Sequence, residues 1–219
     1  MLRQAPKNQA LPMLLLSKIG GYTLLGICLV LAAAMAGADV QPGEALMQSI
    51  EDGRRILMDP TYHPADRKPL QQEKLRDLLH RDFDFTEYSR RVLANKWAWF
   101  SPVQRQEFVQ VFSRFLADFY LSRLQQRYTD ETVAVREQTI TAPGKARVRA
   151  AVVWQAREFP VEIYLHDRGN GWKIYDLSAL GISAVQIYRA QFQEILRTKS
   201  PAAVISIMFP ASGMSMINS

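Results

Sequence analysis

The sequence is poor in the residues that most often carry chemistry: one cysteine and three histidines in 219 positions. A lone cysteine excludes a disulfide framework within the chain and any cysteine-rich zinc module. His63, His80 and His166 fall in a loop, near a helix end and on the polar side of a strand, without metal-ligand spacing, and read as exposed side chains. No Gly-x-Ser-x-Gly elbow, phosphate loop or dinucleotide fingerprint is present. Glycine and proline, 11 of each, and a charged fraction of 22% are ordinary, so collagen-like and disordered classes drop out. A basic stripe with stacking aromatics is missing as well. Arg54-Arg55, Arg90-Arg91 and the Arg147/Arg149 pair are scattered, so neither a nucleic-acid partner nor a metal or cofactor is expected.

Acidic residues are absent from positions 1–38, where Arg3, Lys7 and Lys18 surround or precede apolar stretches. The apolar heart runs from Leu24 to Ala34 and ends in Ala36-Gly37-Ala38, just before Asp39. That is the basic, apolar and small-residue layout of a secretory signal. A cleaved signal peptide over 1–38 and an exported protein of 181 residues are therefore expected. Its 24 basic and 21 acidic residues leave a charge of +3, against +6 for the whole chain. The uncharged run from Ile19 to Ala38, at about 20 residues, is just long enough for an uncleaved inner-membrane anchor. Its glycine pair and alanine-rich end suit that role less well, and the bulky Ile27 before Cys28 argues against a lipoprotein. Beyond residue 39 no run is long and apolar enough to span a membrane, so a soluble exported domain is expected.

What is present reads as a single domain over 39–210, with a flexible tail at 211–219. A helical part (42–128) comes first. Leu46, Ile50 and Leu57 recur at helical spacing up to Asp59-Pro60, and Pro69 suits the first turn of a second helix. Asp84 with Glu87 opens a third. Ser101, Pro102 and Gln104 form a capping box for the longest helix, running to about Tyr128 with Phe108, Phe112, Phe115, Leu116, Phe119 and Tyr120 along it. After Asp130 the period changes from 3.6 to 2, giving four strands over a sheet part (131–177), with Gly169-Asn170-Gly171 as a hairpin turn. A closing helix (183–197) starts at a second Ser-x-x-Gln box, Ser183 to Gln186, and an apolar patch follows from Val204 to Phe209. The class is α+β: a helical lobe on a four-stranded, mainly antiparallel sheet.

Apolar bulk is in excess. The long helix and the sheet together offer more aromatic surface than one sheet face easily covers, which suits either an ordinary core or a lined cavity for an apolar ligand. Asp176, a lone carboxylate at a strand end, is the one candidate general base, for a small exported enzyme acting on an apolar substrate; a structural hydrogen-bonding role is the alternative.

The motifs Phe83-Asp84-Phe85, Ser89-Arg90-Arg91-Val92-Leu93, Trp97 and Ser101-Pro102-x-Gln104-Arg105-x-x-Phe108 resemble the toluene-tolerance family, the MlaC-type periplasmic lipid carriers. Gly171-Trp172-Lys173-Ile174-Tyr175-Asp176, Gly181-Ile182-Ser183 and Tyr188-Arg189-x-Gln191-Phe192 extend the similarity through the second half. Ala94 stands where the family usually has glycine, and the segment after Arg197 lacks the usual family ending. The resemblance implies a nuclear-transport-factor-like sheet, an apolar cavity between sheet and helices, and no catalysis. It implies a carrier that binds the acyl chains of a phospholipid, or of a hopanoid-related lipid, and shuttles it between membranes to maintain lipid asymmetry. Its implied partners are an outer-membrane lipoprotein complex and an inner-membrane ABC transporter with a mammalian-cell-entry-type subunit. On this chain Phe112, Leu116, Phe119 and Tyr120 would form one cavity wall. Val152, Trp154, Ile163, Leu165, Trp172 and Ile174 would form the other, with Val185 and Tyr188 closing one end.

Overall fold

A computed structural model of the protein describes residues 40–129 and 131–208. The expected signal peptide and the tail at 211–219 lie outside these described residues. Among them, four helices come first: α1 (Pro42–Met58), α2 (Lys68–Asp82), α3 (Phe85–Leu93) and α4 (Pro102–Arg127). A meander follows, β1 (Thr132–Ala142), β2 (Lys145–Trp154), β3 (Arg157–Asp167), β4 (Trp172–Ala179) and β5 (Ile182–Ser183), and then α5 (Ala184–Ile195) and α6 (Pro201–Met208).

The helix starts follow the local chemistry of the sequence. Asp84 accepts the Glu87 amide at 2.8 Å. At α4 the capping box closes in both directions, Gln104 N–H to Ser101 Oγ at 3.2 Å and Ser101 N–H to Gln104 Oε1 at 3.0 Å. At α5 only half of the expected box forms. Ser183 Oγ accepts the Gln186 amide at 3.2 Å but donates its own proton to Asp176. The last carbonyls of α1 are satisfied from α2, where the fully buried Gln71 amide donates to Ile56 and Leu57 oxygens at 2.8 and 3.1 Å.

The sheet has five strands in the order β1-β2-β3-β4-β5, not the four expected, and every neighbouring pair is antiparallel. The extra strand is two residues long, too short to show an alternating pattern. It exists because Leu180 and Gly181, at φ 53° and 80°, turn the chain back so that Ser178 meets Ser183 and Ala179 meets Ile182. The β2–β3 turn is made the same way by Gln155 and Ala156, at φ 48° and 60°, the left-handed pair a two-residue hairpin demands. At the β1–β2 turn Gly144 has φ 63°, and a Cβ there would meet the Asp167 carbonyl at 2.5 Å.

Packing sets the layers. The inner sheet face carries Val148, Ala150 and Val152 of β2 opposite Ile163, Val161 and Phe159 of β3. Helix α1 covers β1 and β2, while α2, α3 and α5 lie against β4; α4 packs on α2, α3 and α6. The connection between α2 and α3 is stitched to the open edge of β4 by the Asp84 amide, which donates to the Ile174 carbonyl at 2.8 Å. Just past α3, Ala94 adopts φ 49°, ψ −123°, a region that glycine enters without cost. A Cβ there stores strain of about 1–3 kcal/mol.

Candidate functional site

The expected wall residues of α4 meet α3 and α5 through an aromatic cluster. Phe112 lies 5.8 Å, centroid to centroid, from Tyr88 of α3 and 5.3 and 5.2 Å from Tyr188 and Phe192 of α5. The helical phase of α4 places Leu116 and Tyr120 one and two turns further on, both buried. Tyr120 and Tyr188 join their hydroxyls at 2.8 Å inside this apolar layer. Burial pushes the Tyr188 phenol up to about 12, so that hydroxyl stays neutral at any physiological pH.

The second wall is the inner sheet face. Val152, Ile163, Leu165 and Ile174 are all buried there, and Val185 of α5 joins the same core. Trp172 sits at its rim, half-buried, with its indole N–H on the Val40 carbonyl at 2.9 Å. Phe119 is also half-buried and lies under the Arg123 guanidinium at 3.5 Å. Trp154 is not brought to the cluster. It ends β2 at the hairpin and donates to Thr129 Oγ1 at 3.3 Å, because the strand has already run past the helical layer.

Phe112, Val152 and Ile163 expose no surface to water, so between them the two layers are filled by side chains. An apolar pocket of about 60 Å³ opens elsewhere, where α4, α5 and α6 meet. Phe115, Tyr188, Phe192, Ile195, Val204 and Met208 line it. Of these, only Tyr188 was expected at the site. The signal for Val204 and Met208 was the uncharged apolar run Val204–Met208, which lies in α6 and turns Val204, Ile205 and Met208 inward.

The polar candidates fall into place around this core. Asp176 caps α5: one carboxylate oxygen accepts the Leu177 and Val185 amides at 2.8 and 3.2 Å, and the other accepts the Ser183 hydroxyl at 2.7 Å. Burial pushes its carboxyl up from the usual range, against the pull of those hydrogen bonds. His166, expected to be exposed, is 5% exposed. Its Nε2 stands 3.0 Å from Asp84 Oδ2, off the line of a good hydrogen bond, and its ring packs edge-on to Tyr175. Among the described residues no group of three or more histidine, cysteine, aspartate or glutamate side chains is placed to hold a metal ion, and no helix is long and apolar enough to cross a membrane.

These observations define an α+β protein whose helices and sheet enclose an apolar interior, with its conspicuous buried acid spent on capping a helix. Residues 48–208 match the family model described as MlaC protein. The chain belongs to the MlaC family. A solved structure with a similar fold is that of a phospholipid-binding protein from Ralstonia solanacearum in complex with a phospholipid. It is 19% identical, with a TM-score of 0.62 over 74% of this chain and 91% of that one. No curated protein sequence matches the chain.

Proposed function

We propose that the protein is a periplasmic carrier that binds the acyl chains of a phospholipid and moves it between the outer and inner membranes, maintaining lipid asymmetry without catalysis. The observation that carries this reading is the apolar pocket among α4, α5 and α6 in a chain of the MlaC family. The phospholipid-bound Ralstonia solanacearum protein of similar fold supports it. In this reading the carrier exchanges lipid with an outer-membrane lipoprotein complex and with an inner-membrane ABC transporter bearing a mammalian-cell-entry-type subunit.

The physics sets the requirement. Two acyl chains hold roughly thirty methylenes, and at about 0.8 kcal/mol each their exposure to water costs on the order of 24 kcal/mol. A lipid therefore crosses an aqueous compartment only inside an apolar sleeve. A pocket of about 60 Å³ is well below the roughly 300–1,000 Å³ of ordinary ligand sites, so loading expands it. The expansion starts at the existing pocket, from the α6 side chains and Phe115 that line it, with Phe119 stacked on Phe115. It continues toward Leu116, Tyr120 and Tyr188, with Phe112, Val152, Ile163, Leu165, Ile174 and Val185 as the deeper lining.

Mass spectrometry of the chain from Asp39 onward, purified without detergent, tests the reading. A stoichiometric two-tailed lipid, seen in the native spectrum and released only by solvent denaturation, is the expected result. An empty protein that also extracts no lipid from vesicles would overturn it.

A further inference from the structure

A second pocket, about 270 Å³, opens on the opposite side of the sheet from the apolar interior. Its parts come from four places in the chain: α3, the Pro143–Gly144 turn with Lys145 at the start of β2, the end of β3 with Arg168, and Tyr175 of β4. The floor is polar and organised around one carboxylate. Glu87, 7% exposed, accepts Arg90 through Nε at 2.9 Å and Nη2 at 2.7 Å, Arg91 through Nε at 2.8 Å, and Arg168 through Nη2 at 3.3 Å. Arg168 also reaches Asp84 Oδ2 at 3.6 Å, and Arg91 lies 4.1 Å above the Tyr175 ring.

One bidentate arginine satisfies a buried carboxylate; here three converge on it. A guanidinium has five donors, so each keeps N–H groups that Glu87 does not use. The charges are also layered. The carboxylates of Glu87 and Asp84 are sunk, with side-chain exposures of 8% and 18%, while Arg90 and Arg168 reach out at 53% and 62%. Lys145 stands on the same rim, and among the described residues no carboxylate lies within 4 Å of its ammonium. The remaining rim acid, Asp167, spends one oxygen on the Gly169 amide at 2.7 Å. The mouth is thus cationic, and its forks are held in place before any ligand arrives, which lowers the ordering cost of binding one.

We propose that this cleft binds a phosphate ester, with the outward donors of Arg90, Arg168 and Lys145 on its oxygens. A guanidinium edge holds a phosphate bidentately, and the phosphate's further oxygens stay open to a second guanidinium and to the ammonium. The site faces away from the acyl interior and stands whether or not that interior carries lipid. The phosphate comes either from a soluble phosphate ester or from a phospholipid headgroup at a bilayer surface.

The test uses the protein as cells export it, with glycerol 3-phosphate as the soluble probe. Phosphatidylcholine vesicles with and without phosphatidylglycerol serve as the bilayer probe. Arg168 lies in an exposed turn and Lys145 at the exposed start of β2, so Arg168→Gln with Lys145→Gln preserves the fold, and an unchanged melting temperature checks this. Saturable binding of glycerol 3-phosphate, weakened at least tenfold by the double variant and by raised salt, identifies the soluble source. Binding only to phosphatidylglycerol vesicles, lost to the same degree in the variant, identifies the headgroup. If neither probe binds, or if binding is the same in a folded double variant, the proposal is wrong.

Discussion

On the inner face of β2 and β3, Val148 lies opposite Ile163 and Ala150 opposite Val161; one residue further along, Arg149 lies opposite Glu162 and Arg147 opposite Tyr164. The same strands build both faces because successive side chains point to opposite sides. The inner contacts are non-directional, gain by exclusion of water, and tolerate replacement of one apolar partner by another, such as an acyl chain. The outer contacts are directional and charged, with Arg149 held between Glu162 at 3.1 Å and Glu137 at 2.8 Å. One face is therefore suited to a guest without a fixed shape, and the other to a guest with fixed charge.

Cutting into the inner face has the largest effect. Phe112→Ala removes a ring that Tyr88, Phe108, Tyr188 and Phe192 all touch. Urea unfolding is expected to show a loss of about 3–5 kcal/mol. A loss below about 1 kcal/mol would mean that the cluster is loosely packed and that lipid loading needs little opening.

Acid is the next sharpest tool, and it acts on the outer side. Against its own burial, Arg90 and Arg91 hold the Glu87 carboxyl down at about 2 from an ordinary 4.5. A depressed pKa in the folded state stabilises above the unfolded value, and that stabilisation disappears as pH falls through the folded one. For Glu87 it is on the order of 3 kcal/mol, present above about pH 4.5 and lost toward pH 2. Unfolding curves across that window should steepen for the native protein and flatten in Glu87→Gln.

The tyrosine pair distinguishes the two kinds of contact inside the apolar layer itself. Tyr188→Phe removes the hydroxyl that meets Tyr120 at 2.8 Å and is expected to cost about 0.5–1.5 kcal/mol, while Tyr120→Phe with Tyr188→Phe costs less than the sum of the two single changes. Strict additivity in the double-mutant cycle would show that the hydroxyls do not bond. The smallest effect belongs to the solvated outer face, where Arg149→Ala is expected to lower the melting temperature only slightly, and not at all in high salt. Circular-dichroism melts at two salt concentrations suffice to check it.

Legibility in the sequence tracked the range of the interaction. The Asp84 and Ser101 caps, the first-turn prolines and the alternation of Val161, Ile163 and Leu165 are local, and such signals located helices α1 to α5 and four of the strands. β5 was missed because its two residues carry no period, and Trp154 was misplaced because alternation gives a side chain's face but not how far the covering layer extends. His166 alternates with Leu165 and so belongs to the outer face, as expected. It is nevertheless buried, because Asp84 and Tyr175 close over it, and neither is near it in sequence.

The sequence by itself determined the order of α1 to α5 and β1 to β4, the α+β class and the existence of an apolar interior, since capping and periodicity act within a few residues. Only the tertiary structure decided where that interior has room, because free volume depends on how α4, α5 and α6 meet. The same holds for the cationic cleft. Arg90, Arg91, Lys145 and Arg168 are ordinary scattered charges along the chain, and they become one site when the sheet's turns fold back beside α3 around a single buried carboxylate.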